Sequence, residues 1–138
     1  METGSNQDAR RGSDVFLKDA EIGWETVGEG LRRKILCYDE TIMMARVAFE
    51  AGAVGTPHRH PHTQCSLVES GVFDITIAGR TERLSAGDSF VVPSDALHGA
   101  VNVEPGILLD VFTPLREDFL PWADYCARLR RHAAEGSA

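Results

Sequence analysis

Residues 52–71 read GAVGTPHRHPHTQCSLVESG, and His58, His60 and His62 alternate there before Gln64. On an extended chain, side chains at i, i+2 and i+6 share one face. His58, His60 and Gln64 have that parity, with Pro61 breaking the strand between them. Two imidazoles and an amide oxygen can then converge on one centre. His98, in ALHGAVN (96–102), would complete the set from a strand pairing across the same interior. Imidazoles with an oxygen donor suit a first-row divalent ion such as Fe, Mn, Ni, Co or Zn. A neutral Gln in place of a carboxylate leaves such an ion the stronger Lewis acid. Any one of these histidines alone reads as a polar turn residue, but four together do not. His62 stays outside the ligand set, placed to hydrogen-bond a ligand or to face solvent.

Around this stretch the punctuation is that of an all-β protein. LRRKILCY and TIMMARVAF read as strands joined by a turn at Asp39–Glu40. TQCSLVES, VFDITIAG, RTERLSAG, DSFVVPSD, HGAVNVE and GILLDVFTP follow, separated by Gly, Asp, Pro and Ser. Many short strands with close-spaced turns imply a sandwich or barrel. Residues 1–14 are polar and read as a disordered arm, and 15–114 as the barrel. Residues 115–138 carry Leu115, Phe119, Trp122, Tyr125, Cys126 and Leu129 at helical spacing, with acids early and arginines late. That pattern predicts an amphipathic helix capping the barrel or a partner subunit.

The chain has 138 residues, enough for one domain with a real core, and a formal charge of −7 with no basic patch. This composition argues against nucleic acid or an anionic membrane as a partner. No apolar run approaches the roughly 20 residues of a membrane span, and the polar start has no signal-peptide core. Three cysteines at unrelated spacings suit reduced thiols, so a cytoplasmic location is expected.

One residue breaks the apolar pattern. Asp110 sits among Ile107, Leu108, Leu109, Val111 and Phe112, and a carboxylate taken out of water is costly unless something pairs with it. Asp110 and Phe112 share parity with Leu108, so one strand face could offer acid and aromatic together to a cavity. A structural ion pair with Arg116 or Arg46 is the competing account. Arg46 reads equally well as an inward second cation or an outward surface charge. Cys65 and Glu69 have the parity opposite to Gln64 and read as core and structural residues, and Trp24 as a packing residue.

The spacing of the two histidine stretches resembles the two motifs of the cupin superfamily. Gly52, His58, His60, Gln64 and Gly71 match every interval of the first. Gly87, Pro93, His98 and Asn102 match the second, with Asp95 where a glycine is usual. The resemblance implies a single-domain double-stranded β-helix, or jelly roll, with a divalent metal inside the barrel held by His58, His60, Gln64 and His98. From about Trp24 to Leu120, and most distinctively in DVFTPLREDF, the chain resembles the KdgF family of pectin-degradation proteins. That resemblance implies conversion of a 4,5-unsaturated monouronate to its linear 5-keto-4-deoxy form, with Asp110, Phe112 and Arg116 in the active site. Asp110 would serve as general acid/base and Arg116 would bind the substrate carboxylate. The expected partners are a small sugar acid and a second copy of the chain in a homodimer. A metal-dependent cupin oxygenase or cyclase, and a non-catalytic cupin that binds a small acid, are the alternatives.

Overall fold

The structure is a computed structural model and describes residues 12–120. The strands are β1 (Glu25–Gly28), β2 (Leu31–Tyr38), β3 (Met43–Phe49), β4 (Val54–His58), β5 (Thr63–Ile77), β6 (Arg80–Ser85), β7 (Ser89–Val92) and β8 (His98–Thr113). All their pairings are antiparallel, and they make one eight-stranded sheet ordered β1-β2-β3-β8-β5-β6, with β4 added to β8 and β7 to β5.

Two strands that the sequence punctuates into four are continuous. TQCSLVES and VFDITI form β5, and HGAVNVE and GILLDVFT form β8, each bent rather than broken. The bends face one another. Gly71 has φ +82°, and a Cβ there would lie 2.6 Å from the carbonyl oxygens of Glu104 and Pro105. A Cβ on Gly106 would run into the Ser70 carbonyl. Only glycine lets the backbones meet this closely. Before its bend β5 pairs with β7 and the end of β8; after it, β5 pairs with β6 and the start of β8. Two paired, bent strands thus fold the sheet over its own interior. The short strands β1 and β4 carry little apolar patterning, so backbone pairing rather than side-chain alternation defines them.

The interior has two apolar clusters. Phe49, Val68, Phe73, Ile75 and Leu108 fill one end, where the Phe49 and Phe73 rings meet edge-on at 5.0 Å. They come from β3 and β5, which are not neighbours in the sheet, so the contact crosses the barrel. Met43, Ala45, Phe112, Leu115 and Leu120 form the other cluster. Leu115 and Leu120 belong to the segment after β8, which folds back across that end; the Leu115 N–H donates to the Glu40 carbonyl at 3.3 Å.

Asp95 has φ +64°, the left-handed turn conformation that its place in the second motif demands, and its N–H donates to the His60 carbonyl. Of the expected C-terminal helix the described residues show only a 3₁₀ turn, Glu117–Phe119; residues 121–138 lie outside them. So does the expected arm, apart from residues 12–14. Among these, the Ser13 N–H donates to the Tyr38 carbonyl at 2.9 Å. Among the described residues no helix is long and apolar enough to cross a membrane.

Candidate active site

His58 ends β4 and His98 begins β8, and the two are paired directly across that ladder. His60 follows in the loop that precedes β5. One ring nitrogen from each of the three lies within 4.8 Å of the others. A local backbone carbonyl orients every ring through Nδ1: Thr56 for His58 (2.8 Å), His62 for His60 (3.1 Å) and Ala96 for His98 (3.0 Å). A carbonyl only accepts, so Nδ1–H is the donor, and in the neutral ring Nε2 then presents a lone pair. The Nε2 of His98 is buried and makes no hydrogen bond among the described residues.

The Nε2 of His60 lies 3.2 Å from Gln64 Oε1. Burial, then the Arg116 charge, pushes the His60 pKa down to about 4, so its ring is neutral near pH 7 and its one proton is on Nδ1. Gln64 is oriented from its other end, where Nε2 donates to Ser66 Oγ at 2.9 Å. Two acceptor atoms therefore face each other, an arrangement that a cation resolves. With the orphaned Nε2 of His98, this makes the set fit a divalent transition-metal ion on His58, His60, His98 and Gln64.

The hydrogen-bond chain continues from Gln64. Ser66 donates to Asp110 Oδ1 at 2.6 Å, and the two residues are direct cross-strand partners on β5 and β8. Asp110 is buried, and desolvation raises its pKa to about 6 against the opposing pull of Ser66 and Arg116. Among the described residues Asp110 makes no ion pair. Arg116 holds Asp118 through Nε (3.0 Å) and Nη2 (2.8 Å), and Arg46 pairs outward with Glu69 and Asp19. Asp110 is thus linked to the histidines through Ser66 and Gln64.

A cavity of about 160 Å³ lies between these groups, lined by His58, Gln64, His98, Asp110 and Arg116 on its polar side, with Phe112 beside them. Phe112 is wedged edge-on between His60 (5.9 Å) and Phe119 (5.4 Å). The volume is well below the roughly 300–1,000 Å³ of pockets for drug-sized ligands and suits one small metabolite. Asp118 occupies the Nε–Nη2 edge of Arg116 and leaves Nη1 for a ligand. His62 lies outside the histidine group: its Nε2 bonds the Leu115 carbonyl at 3.2 Å and ties the closing segment down.

Three contributors escape a reading of sequence alone. Ser66 has the parity of Gln64, which is the one signal that could have found it. Arg33 and Phe119 line the same cavity, and nothing local to them marks it. Cys65 is exposed rather than in the core. Trp24 packs beneath Arg32 and Lys34, each 5.0 Å from its ring centre.

This geometry has close counterparts. Residues 45–112 match the cupin domain family model. The chain is 41% identical over 107 residues to the pectin degradation protein KdgF of Dickeya dadantii (strain 3937), covering 76% of this chain and 97% of that one. The solved structure of KdgF from Halomonas sp. superposes with a TM-score of 0.75 at 41% identity, over 78% of this chain and 100% of the other. An RmlC-like cupin from Shewanella frigidimarina NCIMB 400 gives 0.78 at 40% identity, over 80% and 99%. The match runs along nearly the whole length of these relatives, and the chain belongs to the KdgF family of cupins.

Proposed function

We propose that this protein converts a 4,5-unsaturated monouronate into its linear 5-keto-4-deoxy form. The observation that carries the reading is Asp110: a buried carboxyl, held by Ser66 rather than by a cation, on the wall of a cavity that also contains the histidine group and Arg116. Its pKa of about 6 lets it both take and return a proton near neutrality.

The free Nη1 end of Arg116 binds the substrate carboxylate. Phe112 packs on the sugar ring and keeps water from the reacting atoms. Ionised Asp110 takes the proton of the C1 hydroxyl as the bond between C1 and the ring oxygen breaks, which leaves an aldehyde at C1 and an enolate at C5. The proton held by Asp110 then passes to C4 and the enolate becomes a ketone. One proton leaves and one returns, so the change is an isomerisation without oxidant or reductant. A divalent ion bound by His58, His60, His98 and Gln64 supplies Lewis acidity to substrate oxygens. Ser66 keeps the Asp110 carboxyl aimed at the cavity throughout.

Metal-loaded protein mixed with a 4,5-unsaturated monouronate should speed the loss of the conjugated double bond's absorbance well beyond buffer. Absence of acceleration would overturn the reading; binding of the uronate without turnover would assign a small-acid-binding cupin instead. A homodimer is part of the proposal. Val91, Cys65, Val111 and Met44 are in register across β7, β5, β8 and β3 on the sheet's outer face, which supports burial against a second copy. A monomeric mass by light scattering would refute it.

A further inference from the structure

Strand β2 turns Leu31, Arg33 and Ile35 to one side, the two apolar residues packing against the two interior clusters. Arg33 is therefore a cation in the middle of an inward row. It lines the cavity with Asp110 and Arg116, and its guanidinium carbon lies 3.9 Å from the ring centre of Phe119. The Arg116 guanidinium carbon lies 4.2 Å from that same ring. Two cations are thus gathered at one aromatic side chain on the cavity wall.

Each is paired with one acid. Arg33 donates Nε to Glu25 Oε1 at 3.0 Å and holds Nη2 in ion-pair contact with that same oxygen, also at 3.0 Å, while Arg116 donates Nε and Nη2 to the two carboxylate oxygens of Asp118. Among the described residues neither arginine has a hydrogen bond at Nη1. Both side chains are largely buried, whereas Glu25 and Asp118 are half-exposed or more. The acids face the outer groove that Arg33 and Phe119 share with the cavity. Arg33 can exchange a solvated acid for a ligand without leaving its place on Phe119.

We propose that Arg33 is a second carboxylate-recognition residue of this pocket, acting with Arg116 to select sugar acids over neutral sugars. The sugar-acid class rests on the function proposed above; the placement of two arginines on one ring does not. A carboxylate that reaches Arg116 lies in the field of both cations, and each free Nη1 supplies a charge-assisted donor. Glu25 competes for Arg33, so removing its charge and removing Arg33 should have opposite effects.

The test is calorimetric binding of galacturonate and of galactose to metal-loaded wild type, Arg33→Met, Arg33→Lys and Glu25→Gln. Wild type should prefer the acid, and Arg33→Met should lose about tenfold of that preference, on the order of one charge-assisted contact. Arg33→Lys should retain part of the preference and Glu25→Gln should raise it. An unchanged preference in Arg33→Met would overturn the inference, as would a wild type that does not discriminate. If Arg33→Met does not fold, identical preference in wild type, Arg33→Lys and Glu25→Gln would overturn it. Turnover of the unsaturated uronate is measured separately on wild type, so failure of the proposed reaction and failure of the Arg33 role give different results.

Discussion

The two halves of β5 point different chemistry into one barrel. Before the bend at Gly71 the buried side chains are Gln64, Ser66 and Val68, and the first two are bonded to each other and on to Asp110. After it they are Phe73 and Ile75, packed in the apolar cluster with Phe49, Val68 and Leu108. The strand β8 runs antiparallel beside it and contributes Asp110 and Phe112 to the first region and His98 to the polar wall. Separating a wet, functional end from a dry, stabilising one lets the site hold an acid and convergent lone pairs that would be costly in a core. The dry end supplies the burial that offsets them.

Substitutions should respect this division, and the largest effects would break it. Asp110→Asn should lower turnover about 10²- to 10⁴-fold, the usual range for a general acid/base, with metal content unchanged by elemental analysis. Phe73→Ala, at the dry end, should cost about 3–5 kcal/mol of stability in denaturant unfolding, with the pH–rate profile of the surviving folded protein unchanged. A Phe73 variant that moved that profile would dissolve the distinction.

The next effect is pH-dependent. Desolvation holds the Asp110 pKa above its unfolded value, so the folded state binds the extra proton between about pH 4 and about pH 6. Asp110 should therefore contribute less stability as pH rises through that window, by up to roughly 3 kcal/mol, while His60, His62 and His98, whose pKa values burial lowers, act in the opposite direction. The stability of wild type relative to Asp110→Asn, from thermal melts of the metal-free proteins, isolates the acid and should fall across the window and be flat above it. Ser66→Ala should leave the carboxyl without its donor and raise its pKa further. Its acidic limb of activity should shift to higher pH, while stability falls by about 1–3 kcal/mol. The smallest change is expected outside the barrel: Arg46→Ala should cost no more than about 1 kcal/mol, since its pairs with Glu69 and Asp19 are partly solvated.

The sequence by itself carried the metal-type histidines, because ligands at i and i+2 flanked by glycines leave a spacing that survives without coordinates. It also carried the acid in an apolar strand, since an ionisable group there violates the pattern around it. Parity alone placed Asp110, Phe112 and Leu108 on one buried face of β8. It left open whether Arg46 pointed in or out, because a half-buried cation obeys either pattern. It divided β5 and β8 at Gly71 and Gly106, because a glycine that ends a strand and one that bends a strand look alike in one dimension. Only the tertiary structure decided that Asp110 is partnered by Ser66, 44 residues away in the chain, and that Arg33 and Arg116 meet at Phe119. Those contacts depend on the register of antiparallel strands and on where a loop returns. Register is set by the summed packing of both faces rather than by any local residue pattern.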